Sequence, residues 1–386
     1  MSSNIVFVDS TTEYPYRFSA GNTKVELLAK GLIPHGNKIT AINSPLIGEN
    51  VVDEYTVSDY LDIECHSFQK KKTIGSIFKN FRTLYKVLKV KSKQNKDNVL
   101  IISDPQYFLI FLLEIFFAKV LKYKVVRLLH EWHSSVKNVS KKQKLGFYLL
   151  DNYFGYFCDA ILPISHFLED RSVKYKKPMM LVPILAEYPE NSIDNVRPAE
   201  QYFVYCVGAQ YFHVINRLLQ HLNTMNQDYP TVSLVLVLYG EKKFINIIQN
   251  QIGKLGLEPK VTIKSKLPQE ELYKLFRGAL GLIIPLEDSI QDKARFSQKI
   301  AEYISCKRPI ITNKIGEIPY YFEDKVNAVF AAPIESDDFV FSLKYLANNP
   351  EKATDIGLMG FEVGVKYFNY KTVGNNLDKF LSAIKK

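Results

Sequence analysis

Residues 284–311 read IPLEDSIQDKARFSQKIAEYISCKRPII: an apolar run closing on Pro285, a polar loop, then a helix expected from Ser297 with Gln298, Lys299 and Glu302 in its first two turns. A helix start presents unpaired N–H groups and a partial positive charge, a setting that holds a diphosphate. Glu302, one turn in, can accept hydrogen bonds from two adjacent sugar hydroxyls, as an acidic side chain does for the ribose of a dinucleotide. Arg295 and Lys299 flank the loop and can supply positive charge to a leaving diphosphate. The plainer role for both is solvation of a surface helix.

Two glycine loops are further candidates for close backbone approach to phosphate: Gly21 in Ser19-Ala20-Gly21-Asn22, and Gly208 followed by Ala209. Neither belongs to a complete G-x-G-x-x-G, and a lone glycine is usually only a turn. His130-Glu131-Trp132-His133 sets two histidines three apart, but this is not H-E-x-x-H and it follows a strand, so no metal site is expected. Its alternatives are a place in a binding cleft or a structural loop cap.

The elements that must carry these residues alternate. Strand patterns at 5–8, 38–42, 99–102, 124–129 and 160–163 are interleaved with helical patterns at 25–32, 107–121 and 143–157, and Ser165 is placed to cap a further helix. Residues 186–201, polar and twice interrupted by proline, read as a linker. Strands at 202–207, 234–238, 261–263, 281–284 and 309–312 follow, with helices at 214–226, 242–255, 268–278 and 297–305. This is an α/β chain of two doubly wound, Rossmann-like parallel-sheet domains, and ligands of such sheets bind outside the carboxyl ends of the strands. The expected domains are 1–185 and 202–365, with a C-terminal helix at 366–386 packing back on the first.

A chain of 386 residues has room for two cores. Its 47% hydrophobic and 23% charged content excludes disordered, collagen-like and disulfide-scaffold classes. Cys65, Cys158, Cys206 and Cys306 are widely spaced and read as reduced thiols. The first residues lack the basic start and apolar run of a secretory leader, and the apolar stretch 107–121 is too short and too interrupted to span a bilayer. A cytoplasmic chain is expected.

The net charge of +10 is localised. Residues 70–96 hold ten Lys or Arg and no acidic residue, equal to the whole excess. Within them Ile77, Phe78, Phe81, Leu84, Tyr85 and Leu88 form an apolar helical stripe beside Lys79, Arg82, Lys86, Lys89 and Lys93. Such a helix can lie on an anionic membrane. It can equally pack its stripe into the first domain with the lysines solvated, and nucleic-acid backbone binding would draw on the same charges.

With these residues in view, the chain resembles the GT-B fold glycosyltransferases, in particular the retaining family 4 (group 1) enzymes that use nucleotide-sugar donors. The resemblance runs through AGNTKVELLAKGLIPHGNKIT at 20–40 and, more specifically, through Arg295-Phe-Ser-Gln-Lys-Ile-Ala-Glu-Tyr with Pro309-Ile-Ile and Gly316-Glu-Ile-Pro319 downstream. It implies a GT-B architecture with the two domains facing across a cleft. It also implies donor diphosphate held by the amides of Phe296, Ser297, Gln298 and Lys299, ribose held by Glu302, and His130 facing the donor sugar as the catalytic-cleft histidine. Gly21 and Gly208 fall on the donor side, Asn22 and Glu131 on the acceptor side.

The implied activity is transfer of a sugar from a nucleoside diphosphate to a saccharide or lipid-linked acceptor, with retention of configuration and with neither metal nor other cofactor. The setting would be synthesis of cell-surface polysaccharide or glycolipid at the inner face of the cell membrane. The family's glutamate eight positions before the ribose one is Ala294 here, and its arginine and lysine after the first strand of the second domain have no counterpart in Gly208-Ala-Gln-Tyr-Phe-His. These departures keep a non-catalytic, saccharide-binding or scaffolding GT-B subunit as the alternative. The basic segment suggests a DNA-modifying glycosyltransferase as a third reading.

Overall fold

The computed structural model describes residues 3–8, 13–16, 19–45, 51–69, 73–103, 108–136, 139–189, 201–226 and 228–385. Lys70, Lys71 and Lys72 of the basic segment, residues 104 and 105 after the third expected strand, and 190–200 of the expected linker lie outside them. The chain forms two compact units. The first comprises Met1–Leu185, Lys293–Phe296 and Phe368–Lys386; the second comprises Ala186–Asp292 and Ser297–Tyr367.

In the first unit the elements are β1 (Asn4–Val8), α1 (Ala20–Leu32), β2 (Lys38–Ile42), β3 (Thr56–Tyr60), β4 (Ile63–Ser67), α2 (Ile74–Gln94), β5 (Asn98–Ser103), α3 (Phe108–Val120), β6 (Lys124–Leu129), α4 (Lys141–Tyr153), β7 (Ala160–Pro163) and α5 (His166–Ser172). They build a seven-stranded sheet of order β3-β4-β2-β1-β5-β6-β7, parallel except for β3. Its inner strands are apolar along their length because both faces are covered. In β1, Ile5 and Phe7 pack with Val25, Leu28 and Leu32 of α1, while Val6 and Val8 pack with Phe81, Leu84 and Leu88 of α2 and Phe111 and Ile115 of α3.

The hairpin β3–β4 was not expected from the sequence. Its turn uses Leu61 and Asp62, both at positive φ (50° and 62°), instead of the Asn-Gly or Asp-Gly pair that usually marks such a turn.

The second unit contains β8 (Tyr202–Gly208), α6 (Phe212–Met225), β9 (Ser233–Tyr239), α7 (Lys242–Lys254), β10 (Val261–Lys264), α8 (Gln269–Gly278) and β11 (Gly281–Ile284). A short α9 (Ile290–Ala294) and α10 (Gln298–Ser305) follow, then β12 (Ile310–Thr312), α11 (Ile318–Tyr321), β13 (Val329–Phe330), α12 (Phe339–Asn348) and α13 (Pro350–Tyr367). Its six strands are parallel in the order β10-β9-β8-β11-β12-β13, so the strand order reverses beside β8.

The unit boundaries differ from the expected domains in three places, each for a packing reason. Tyr188, assigned to the linker, is buried in the second unit, donating its hydroxyl to Ala301 O (3.1 Å) and setting its ring edge-on to Phe361. The second unit extends to Tyr367, through the whole of α13. Lys293–Phe296 groups with the first unit, where Ala294 O accepts from Ser165 Oγ (2.7 Å) and Phe296 packs edge-on against Phe368.

The last helix, α14 (Tyr370–Lys385), completes the first unit by packing Leu377 and Leu381 into the α1 side of its core. Glycines make the approach possible. A Cβ on Gly31 would lie 2.5 Å from Tyr370 O, and one on Gly374 would lie 2.5 Å from Gly31 Cα.

Helix α2 corrects the expected division between apolar and basic stripes. Phe81, Leu84 and Leu88 are buried against the sheet and Ile77 and Tyr85 are half-buried, but Phe78 is 76% exposed and stands with the lysines. Most of the stripe offered to a membrane is therefore spent on the protein's own core.

Candidate functional site

The carboxyl edge of the second sheet gathers the residues that the sequence singled out around Ser297. Helix α10 has Ser297 at its N-cap, and no side chain caps its first turn. Its buried face, Ile300, Ala301, Tyr303 and Ile304, anchors it. Tyr303 sets its ring edge-on against Phe276 and accepts a hydrogen bond from Cys206 N (3.2 Å), which ties α10 to β8. That anchoring leaves Lys299 and Glu302 toward the half-exposed side.

Lys299 donates from Nζ to Tyr239 Oη (3.2 Å), and the ammonium stands 5.2 Å from the centre of the Tyr239 ring. Burial would lower its pKa, but Tyr239, Cys206 and Glu302 outweigh that and hold it raised, so the side chain is a fixed cation. The Glu302 carboxylate makes no hydrogen bond or ion pair with the described residues. Burial pushes its pKa up to about 7, against the pull of Lys299. A half-buried carboxyl left open by its own protein is suited to accept from the hydroxyls of a bound polyol.

Gly208 ends β8, and a Cβ there would lie 2.4 Å from the Gln210 amide, whose side chain fills the space above it. Gly240, at the end of β9, has φ +120°, which only glycine adopts readily, and it borders the same amide. Asn313 went unnoticed in the sequence. Its Oδ1 accepts from Leu286 N (2.7 Å) and its Nδ2 donates to Ala331 O and Ala332 O (3.0 and 2.8 Å), joining the loops after β11, β12 and β13. An Asn just past a strand end is a common turn residue, so its type alone gave no signal.

Arg295 and Phe296 were expected with this helix start, yet they group with the first unit. Arg295 Nη2 contacts Glu131 Oε2 at 3.1 Å, so the proposed phosphate cation is engaged by a carboxylate. Ser297, Gln298 and Lys299 remain with α10 in the second unit.

In the first unit the carboxyl edge carries His130 directly after β6. Its Nε2 is shielded from solvent and has no hydrogen-bond partner among the described residues. Burial, then the positive charge of Lys24 and the nearby His133, keep its pKa well below the ordinary value, so the imidazole is neutral. The loop that follows is pinned by Asp151, which accepts from His133 N (3.2 Å) and Ser134 N (2.7 Å). Burial alone would raise the Asp151 pKa, but the His133 and Ser134 side chains, with the Ser134 N–H, outweigh it and keep the group ionised. The Arg171 guanidinium stacks over Trp132, 4.6 Å from the ring centre.

Sequence reading missed Lys24. It is buried in α1, and its Nζ donates to Val182 O (2.8 Å) and Pro183 O (2.9 Å). Burial lowers its pKa to about 7. The signal was present, since Lys24 lies three and four residues before Leu27 and Leu28, on the apolar stripe of its helix. Gly21 and Asn22 lie in the first turn of the same helix, where Asn22 is buried and its N–H is capped by Ser19 Oγ (3.1 Å).

Among the described residues no group of three or more His, Cys, Asp or Glu is placed to hold a metal ion, and no helix is long and apolar enough to cross a membrane. The four cysteines are buried and none is in a disulfide.

Residues 188–361 match the family model described as glycosyl transferases group 1. No curated protein sequence matches the chain. Solved structures with the same fold include sucrose-phosphate synthase from Thermosynechococcus elongatus (TM-score 0.76, 12% identity, 99% of each chain covered). Anabaena HepE in complex with UDP-glucose is similar at TM-score 0.72 and 13% identity, over 98% of this chain and 99% of that one. A glycosyltransferase from Rickettsia africae is similar at TM-score 0.72 and 14% identity, over 100% of this chain and 99% of that one.

Proposed function

We propose that this chain, whose residues 188–361 match the group 1 glycosyl transferase model and whose fold is of the GT-B type, transfers a hexose-type sugar from a nucleoside diphosphate to a saccharide or lipid-linked acceptor. The observation that carries this reading is the pairing of an open Glu302 carboxyl with the Tyr239-held Lys299, at the uncapped start of α10. Glu302 takes the two ribose hydroxyls. The N–H groups at the start of α10 and the Lys299 ammonium take the diphosphate, which develops charge as the sugar leaves. HepE binds UDP-glucose, so UDP is the first nucleotide to test.

The reading extends, through the family resemblance, to retention of configuration without a metal. The bond from the anomeric carbon to the diphosphate breaks while the acceptor oxygen bonds to the same face, and its proton passes to the departing phosphate oxygen. His130, held neutral, faces the donor sugar and offers a ring nitrogen to a hydroxyl. Gly21 and Gly208 border the donor, and Asn22 and Glu131 the acceptor. The product belongs to cell-surface polysaccharide or glycolipid synthesis, made on the cytoplasmic face of the membrane. The domain assignment that goes with this reading is an acceptor-side first unit, completed by α14, and a donor-side second unit.

Thermal shift against UDP, GDP, ADP, CDP and TDP tests the donor site, because ligand at 100 times its Kd stabilises by about 2.7 kcal/mol. A selective shift that disappears in Glu302→Ala supports the reading; no shift with any of the five overturns it. A second reading, a non-catalytic GT-B subunit, is favoured by one observation. Ala294, where the family carries a glutamate, is wholly buried with its carbonyl taken by Ser165 Oγ. Nucleotide binding with no transfer to any acceptor would select it.

A further inference from the structure

One face of the first unit's sheet is covered by α2, α3 and α4, the other by α1 and α14. The two helical layers meet the outside differently. On the first, Ile74 and Phe78 of α2 are 80% and 76% exposed, Phe116 and Val120 of α3 are 60% and 53%, and Leu145 and Tyr148 of α4 are 61% and 51%. Neither α1 nor α14 exposes a large apolar side chain among the described residues.

Charge divides in the same way. Helices α2, α3 and α4 contain two acidic residues, Glu114 and Asp151, and both are wholly buried. The exposed charges on these helices are all basic: Lys79, Arg82, Lys86, Lys89 and Lys93 on α2, Lys119 on α3, which pairs with Asp159 (2.5 Å), and Lys141, Lys142 and Lys144 on α4. The opposite layer mixes both signs, with Glu26 beside Lys30 (3.3 Å) and Asp378, which accepts from Asn37 (2.7 Å), on the same helix as Lys371 and Lys379.

We propose that the α2–α3–α4 layer docks flat on an anionic lipid bilayer, with the exposed apolar side chains entering the acyl boundary and the lysines meeting the headgroups. Three neighbouring helices offering apolar tips among cations, with no exposed acid, match the chemistry of that surface. A nucleic-acid backbone would use the lysines but has no counterpart for Phe78, Phe116 or Leu145. The surface differs from the one the sequence suggested, since Phe81, Leu84 and Leu88 face the core and α3 and α4 now carry part of the contact. The proposal shares with the functional reading only its membrane setting, and it does not rest on the donor site.

The test is flotation of the full chain with vesicles of phosphatidylcholine, with and without phosphatidylglycerol. It compares wild type, Phe116→Ser with Val120→Ser, and Lys141→Gln with Lys142→Gln and Lys144→Gln. Wild type is expected to float with the anionic vesicles and not with the neutral ones. The α3 variant should lose at least about tenfold in bound fraction, from the apolar area withdrawn. The α4 variant should lose roughly fivefold for each lysine removed, salt-dependently. Failure of wild type to float, flotation unchanged in both variants, or a shift of duplex DNA without flotation overturns the proposal. The unfolding temperature of each sample without ligand reports the fold of each variant. Its shift on adding nucleotide separates the two readings: flotation without a nucleotide shift sinks the donor site and leaves this face standing.

Discussion

The carboxyl edges of the two sheets handle their titratable groups in opposite ways. In the first unit Lys24 is answered by two carbonyls, Glu131 by Arg295 and Asp151 by two backbone N–H groups, while His130, whose Nε2 has no partner among the described residues, is held neutral by burial. In the second, Glu302 is raised toward neutrality by burial and left without a hydrogen bond, and α10 begins without a side-chain cap. A group satisfied by its own fold positions neighbours. One left open bears a cost that a ligand can remove, so the open edge is where an outside polyol phosphate gains most.

Glu302→Ala breaks this comparison most strongly. Losing two hydrogen bonds to a charged acceptor should weaken nucleotide binding by about 3 kcal/mol or more, at least about a hundredfold by calorimetry, with the circular dichroism unchanged. Glu302→Gln sharpens it through pH. With a pKa raised from 4.5 to about 7, the folded chain keeps a proton that the unfolded chain has released, so wild-type stability falls as pH rises across that window. The Gln variant lacks this fall. Its Tm should exceed that of wild type at pH above 7 and match it below 4.5, and a constant Tm difference across the range would refute the buried, open carboxyl.

Lys299→Met comes next, at about 1.5–3 kcal/mol for a charge-assisted bond. It should weaken a nucleoside diphosphate about tenfold or more while barely changing a nucleoside, and equal losses for both would place Lys299 away from the phosphates. In the answered edge, Lys24→Met should cost about 2 kcal/mol of folding stability by leaving two buried carbonyls unmet, with nucleotide affinity unaltered. The smallest effect belongs to Arg295 and Glu131. A double-mutant cycle in urea should return less than about 1 kcal/mol, because both partners are partly exposed.

Much of this arrangement was legible in the sequence. Parallel strands covered on both faces show as apolar runs, and 124–129, 160–163 and 281–284 coincide with β6, β7 and β11. The position of Glu302, one turn into a helix after a strand-end loop, was legible because the helical pattern at 297–305 coincides with α10. The turn at Leu61 and Asp62 was not, since Leu gives no signal of positive φ and Asp without a following Gly only a weak one, and the hairpin it closes places β4 beside β2. Arg295 was misplaced because spacing along the chain cannot show that four residues between two elements pack with a different core. On α2 the periodicity was right, but only packing could decide that Phe81 turns inward while Phe78 does not.

The contact between Gly31 and Gly374 has a consequence for synthesis on the ribosome. Helix α1 emerges early, but the helix that covers its flank is translated only after the entire second unit. Until then Leu28, Leu32 and their strand neighbours lack Leu377 and Leu381, so the first unit waits with an open apolar flank while a complete second core can form. The nascent chain is thus most in need of protection in its earliest-made part, and pulse-labelled proteolysis of stalled chains ending before Tyr370 should cut the first unit in preference to the second.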